Sequence, residues 1–198
     1  MKTKQTARFL VAIIAFFIIA LILATVATAI DGNISTWTEK QEQAHEIAET
    51  ARAMGLPEDD PIIVRAKEIW EAEQLQFILD RDIIATVIYN EAWAGCTDRH
   101  RELVAAVIVN RVKSDKFPNT VYDVVTQKGQ YMLGYANGDP QYTPPEEALE
   151  TCREIAARAL RGDIDCPDNV LYQAEFKQGS GVYEVCKTSY STTYFCYG

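Results

Sequence analysis

The chain has 198 residues, 48% of them hydrophobic and 24% charged, with a net charge of −9 and a pI near 4.8. That length suits one domain, or one domain with a small appendage, and the composition excludes a disordered or collagen-like chain. So acidic a chain lacks the basic face that a nucleic-acid binder needs to displace counterions from phosphates, and two histidines, His45 and His100, leave little room for a His-rich metal site.

Lys2, Lys4 and Arg8 form a positive head, and residues 10–24 then run without a polar side chain. Ala27-Thr28-Ala29 follows, an A-x-A pattern suited to signal peptidase. Residues 1–30 therefore read as a hydrophobic helix that is either a cleaved signal peptide or a membrane anchor. For the second reading, the run from Leu10 to Ile30 has about the 20 apolar residues that span a bilayer. Both readings place the rest of the chain outside the cytoplasm, because the positive head stays inside. The expected location is the cell envelope, membrane-anchored or secreted. Five cysteines, Cys96, Cys152, Cys166, Cys186 and Cys196, suit an oxidising compartment, and at least one disulfide is expected among them without a defined pairing.

Residues 31–80 read as a helical lead-in. Ser35-Thr36 can cap a helix through about Met54, and Gly55-Leu56-Pro57 stops it. Pro61 opens a second helix through about Leu79, with Ile63, Ala66, Ile69 and Trp70 on one side. Within the first helix, His45-Glu46-Ile47-Ala48-Glu49 resembles a zincin helix, but Glu49 stands where the second histidine is required. No metal or cofactor is expected.

From residue 81 the texture changes. Residues 82–93 read as a helix with Ile84, Val87 and Ile88 as its buried stripe, ended by Gly95. A helix over about 100–113 buries Leu103, Val104, Val107 and Ile108, and Thr120 caps a short turn through Val125. Residues 127–145 are loop-like, with glycines and prolines. A third helix over 146–161 carries Leu149, Cys152, Ile155, Ala156 and Leu160 at helical spacing and stops at Gly162. The tail from Val170 is rich in Tyr, Thr and Val and predicts short strands. The fold class expected is α+β, mostly helical with a small antiparallel β region.

Glu91 is the residue that carries chemistry. It lies three residues after Ile88, four after Val87 and seven after Ile84, so helical geometry puts its carboxyl on the edge of the buried stripe. Partial desolvation raises a carboxyl pKa, which is what a general acid needs to stay protonated near neutral pH. The plain structural alternative is a Glu paired with Arg99, Arg101 or Arg111. Nine of the ten tyrosines lie from Tyr122 onward, several beside amides, as in Gln130-Tyr131 and Tyr172-Gln173. Ring faces stack on sugars while amides and hydroxyls bond sugar hydroxyls, so Gln130, Tyr131, Tyr172 and Gln173 are the candidate substrate contacts.

Four ordered blocks carry a resemblance. They are Ile88-Tyr89-Asn90-Glu91-Ala92-Trp93-Ala94-Gly95, then residues 103–112 (Leu-Val-Ala-Ala-Val-Ile-Val-Asn-Arg-Val), Phe117-Pro118-Asn119-Thr120-Val121, and Val124-Val125-Thr126-Gln127. Together they resemble the SleB-type cell wall hydrolases, which include spore cortex-lytic enzymes. The resemblance covers about residues 82–197 and marks 81–198 as a catalytic domain. It implies a lysozyme-like fold acting on peptidoglycan glycan strands, with the family's catalytic glutamate falling on Glu91. The family is similar to lytic transglycosylases, which cleave between N-acetylmuramic acid and N-acetylglucosamine and leave a 1,6-anhydro sugar. Asn90 replaces a family glycine, and Cys96-Thr97-Asp98-Arg99-His100 replaces the usual Gly/Glu-rich loop. Two other readings remain open: a non-catalytic, membrane-tethered wall-binding module, and a peptidase using Cys96 and His100.

Overall fold

The computed structural model describes residues 37–92, 95–131, 135–136, 139–140 and 144–198. The export segment expected over 1–30 lies outside these residues. Among the described residues, no helix is long and apolar enough to cross a membrane. The element order is α1 (Trp37–Ala53), α2 (Pro61–Ala92), α3 (Asp98–Lys113), α4 (Val121–Val125), β1 (Tyr135–Ala136), β2 (Asp139–Pro140), α5 (Glu146–Arg161), β3 (Val170–Ala174), β4 (Gly181–Lys187) and β5 (Thr192–Tyr197). The class is α+β, mostly helical with a small three-stranded antiparallel sheet. The chain divides into two compact units, with the boundary between Ala72 and Glu73.

In the first unit, Gly55 (φ 80°) ends α1, its N–H returning to Arg52 O and that of Leu56 to Ala51 O. Asp60 Oδ1 then accepts from Ile62 N at 2.9 Å, and Pro61 takes the first helical position, so α2 starts where proline is harmless. Ile47, Ala48 and Ala66 form a small buried cluster with Ile62 packed against it. Arg52 and Lys67 converge on the exposed Glu58 at 2.6 and 2.7 Å.

The second unit is built around α3. Thr97 caps it, accepting the His100 N–H at 3.2 Å. Every residue from Leu103 to Val112 is buried, including Asn110 and Arg111. A helix buried all round must be central, and α3 packs against α4, α5 and β3. By contrast, α5 buries one stripe, Cys152, Ile155, Ala156, Ala159 and Leu160. Its C-cap, Gly162, takes φ 78°, and its N–H returns to Ala159 O. The sheet order is β3-β5-β4, so Phe195 and Cys196 lie on the central strand and are fully buried. The side chain of Asn110 fastens the sheet to α3, donating from Nδ2 to Pro167 O at 2.9 Å and to Val170 O at 3.1 Å. Arg99 adds a second tie, to Glu184 on β4 at 2.7 Å.

Two expectations need correction. The helix expected to stop near Leu79 continues without interruption to Ala92. Nothing in Leu79-Asp80-Arg81 breaks a helix, and Asp80 Oδ1 accepts from Gln76 one turn earlier at 2.9 Å. The expected disulfide is absent, since all five cysteines are unbridged thiols. Cys186 and Cys196 sit on neighbouring strands, but Cys186 faces Thr193 while Cys196 faces Val182. Those pairing positions are three residues apart on β5, roughly 10 Å along a strand, beyond the reach of a disulfide. Cys152 is a small buried hydrophobe on the packed face of α5, and burial pushes its thiol up to about 11.

Candidate active site

Glu91 is the penultimate residue of α2. One and two turns before it on the same face, Ile84, Val87 and Ile88 are fully buried, and Glu91 itself is half-buried. Its carboxyl therefore stands where the apolar face of α2 ends. Arg101 of α3 donates from Nε to Ala92 O at 3.1 Å and so holds this helix end. An arginine at a helix C-terminus also complements the partial negative charge there. Gly95 takes φ 70° and turns the chain, with the Tyr190 ring about 3.8 Å from where a Cβ would stand. Trp93 and Ala94, part of the first sequence block, lie outside the described residues.

Of the candidate contacts, Gln130 and Tyr131 belong together with α3. Gln130 Oε1 accepts from Arg111 Nη1 at 2.8 Å. The Tyr131 ring lies 5.3 Å from the Arg111 guanidinium, and the same guanidinium is 4.9 Å from the Phe117 ring. Tyr131 is 6% exposed and adopts φ 44°, a left-handed conformation rare for a bulky residue. Its phenol is pushed up to about 12, chiefly by burial; Arg111 opposes this and Glu91 adds to it. Tyr131 thus lies within electrostatic reach of both Arg111 and Glu91.

Tyr172 joins the group through Phe117, the two rings meeting edge-on at 6.2 Å. Gln173 is the next residue on β3, and successive strand residues project to opposite faces, so the strand turns it away from Tyr172. Among the described residues, Gln127 Oε1, Tyr131 OH and Gln173 Oε1 are buried without a hydrogen-bond partner. Such groups are rare in a finished fold and invite a ligand or water.

The sequence offers Arg111 only as a possible partner for Glu91, although a charged side chain inside the apolar run of residues 103–112 is itself a signal. Arg99 and Arg101, the other two named partners, bond Glu184 at 2.7 Å and Asp98 at 2.6 Å. Cys96 and His100 show no peptidase geometry. His100 is buried against Phe195, its Nδ1 has no partner among the described residues, and burial raises the Cys96 thiol pKa. A nucleophilic thiol needs the opposite shift.

This second unit is an α+β domain with a carboxyl at the end of an apolar helix and a buried polar cluster beside it. Residues 97–189 match the model of a family described as Cell Wall Hydrolase. The match supports the cell wall hydrolase family for that stretch without singling out the SleB type. It takes in Arg111, Gln130, Tyr131, Tyr172 and Gln173, and begins after Glu91. No curated protein and no solved structure matches the chain.

Proposed function

We propose that this chain is an exported peptidoglycan-cleaving enzyme, a lytic transglycosylase that cuts between N-acetylmuramic acid and N-acetylglucosamine with Glu91 as its single acid–base. The observation that carries the reading is the half-buried Glu91 carboxyl at the end of an apolar helix face, next to a domain that matches cell wall hydrolases. Protonated Glu91 gives its proton to the glycosidic oxygen. The resulting carboxylate then takes the proton of the muramic acid C6 hydroxyl as that oxygen closes on C1. The nucleophile is part of the substrate, so its effective concentration is high and the protein need not supply one.

A two-carboxylate glycosidase would want a second acid at a defined distance. The two carboxylates next along the chain are engaged elsewhere. Glu102 pairs with Arg158 at 2.7 Å, and Asp98 pairs with Arg101 at 2.6 Å. This favours the route that needs one carboxyl. Gln130, Tyr131, Tyr172 and Gln173 are assigned to the glycan, and the basic head with its apolar run assigns the enzyme to the cell envelope, anchored or secreted. The test is mass spectrometry of the fragments released from peptidoglycan. Fragments ending in 1,6-anhydro sugars are expected. Reducing ends would make the enzyme a hydrolase, and release of nothing by a protein that co-sediments with the wall would make it a binding module.

A further inference from the structure

Arg111 is a full charge placed inside the domain, 2% exposed. Taking a guanidinium out of water is costly, and buried arginines are normally offset by a carboxylate. Here, among the described residues, no Asp or Glu forms an ion pair with it. Neutral groups hold it instead. Nε donates to Leu171 O on β3 at 2.7 Å, and Nη1 donates to Gln130 Oε1 at 2.8 Å. The rings of Phe117 and Tyr131 lie 4.9 and 5.3 Å from the guanidinium carbon. Both distances fall within the range of cation–π attraction, which strengthens when the pair is desolvated.

One of those rings is held in an unfavourable backbone conformation. Tyr131 is the single non-glycine residue with positive φ among the described residues. An aromatic side chain persists in that region only where its surroundings over-determine it, and such strain clusters at functional sites. Its hydroxyl is buried and bonds nothing among the described residues. A protein that fixes a buried phenol by cation–π contact, against its backbone preference, and leaves the hydroxyl unused has built a group for something else to bind. Arg111 and Glu91 are the charged groups that act on the Tyr131 phenol.

We propose that Arg111 is a positioning residue of the Glu91 site: held by Gln130 and the Leu171 carbonyl, it clamps Tyr131 so that the buried phenol hydroxyl keeps its unused bonding capacity for a hydroxyl or N-acetyl group of the sugar bound at Glu91. This rests on the glycosidase reading above. Arg111 touches no substrate and acts only through Tyr131. Lysine at 111 would keep the charge but lose the planar fork that reaches two acceptors while facing two rings.

The experiment is a double-mutant cycle on soluble glycan fragments, with melting measured alongside. Tyr131→Phe removes only the unused hydroxyl. It should lower kcat by about tenfold while leaving the melting temperature unchanged or higher, because a buried group without a partner stabilises nothing. Arg111→Lys should lower kcat by a similar factor, and the double variant should be no worse than the poorer single one, because both changes disable one device. If Arg111→Lys does not fold, Phe117→Leu takes its place in the cycle, removing one of the two rings that face the guanidinium without removing the charge. Losses that multiply, or Tyr131→Phe at wild-type turnover, would overturn the inference. Glu91→Gln in the same assay separates the two levels. If Glu91→Gln is inactive while Tyr131→Phe and Arg111→Lys work normally, the positioning role alone fails; if Glu91→Gln turns over normally, the glycosidase reading itself fails.

Discussion

Arg52 in the first unit and Arg111 in the second each hold neighbouring segments through their guanidinium nitrogens, but in opposite surroundings. Arg52 bonds two carboxylates, Glu49 and Glu58, on an exposed surface. Arg111 bonds two neutral oxygens in the interior. Water and salt screen the first kind of contact, and losing it costs little. The second kind lies where no water competes and an unpaired group carries its full desolvation penalty. The same contrast runs through the packing. Among the described residues the first unit buries mostly alanines with Ile47 and Ile63, whereas the second wraps a helix buried along its length. The unit that carries the candidate chemistry is therefore the one that spends polar groups inside.

The largest stability effect should come from the apolar centre of the second unit. Phe195 is fully buried on the central strand and meets the His100 ring edge-on at 5.6 Å. Phe195→Ala should cost about 3–5 kcal/mol, read as a lowered denaturant midpoint; a loss below about 1 kcal/mol would mean the sheet is not part of the core. Asn110 comes next. Asn110→Ala strips the Pro167 and Val170 carbonyls of their donor and should cost roughly 1–3 kcal/mol, with faster amide exchange along β3. Unchanged exchange there would show that Asn110 does not fasten the sheet.

The smallest effect belongs to the surface network. The Glu58 carboxyl is held at about 2, against an ordinary 4.5, first by the Arg52 hydrogen bond and then by Lys67. A carboxylate lowered on folding stabilises fully above its unfolded value, and that contribution is lost as the pH falls through the folded one. Wild type and Glu58→Gln should therefore differ slightly at neutral pH, in amide protection of α1, and converge between pH 4.5 and about 2. Because Glu58 is fully exposed, the gap should shrink further in salt. A gap that widens toward acid would contradict this.

Much of the second unit was legible because local signals and tertiary packing agree there. Thr120 caps the Val121–Val125 turn, Gly162 ends α5, and the Tyr/Thr/Val tail forms three strands. The unbroken α2 was less legible, since a charged segment with no breaker looks the same whether it joins two helices or continues one. Cysteine count and compartment suggested a bridge, but only the strand register shows that Cys186 and Cys196 stand apart. At the candidate site, helical periodicity placed Glu91 at the end of the buried stripe of α2, where the structure has it, while the amide–tyrosine pairs singled out Gln130 and Tyr131 without the cation beside them. Arg111 is joined to Gln130 and Leu171 across 19 and 60 residues of chain, and no local pattern reveals contacts at that separation.

Whether Glu91 does chemistry can be decided with one variant. Glu91→Gln keeps the size and hydrogen-bonding reach of the side chain but cannot give up a proton as an acid. Release of glycan fragments from peptidoglycan and thermal melting should be measured on the same preparation. Release should fall by about 10²-fold or more, with melting and wall binding retained. A variant that melts early yet releases fragments at the wild-type rate would make Glu91 a structural residue and contradict the account.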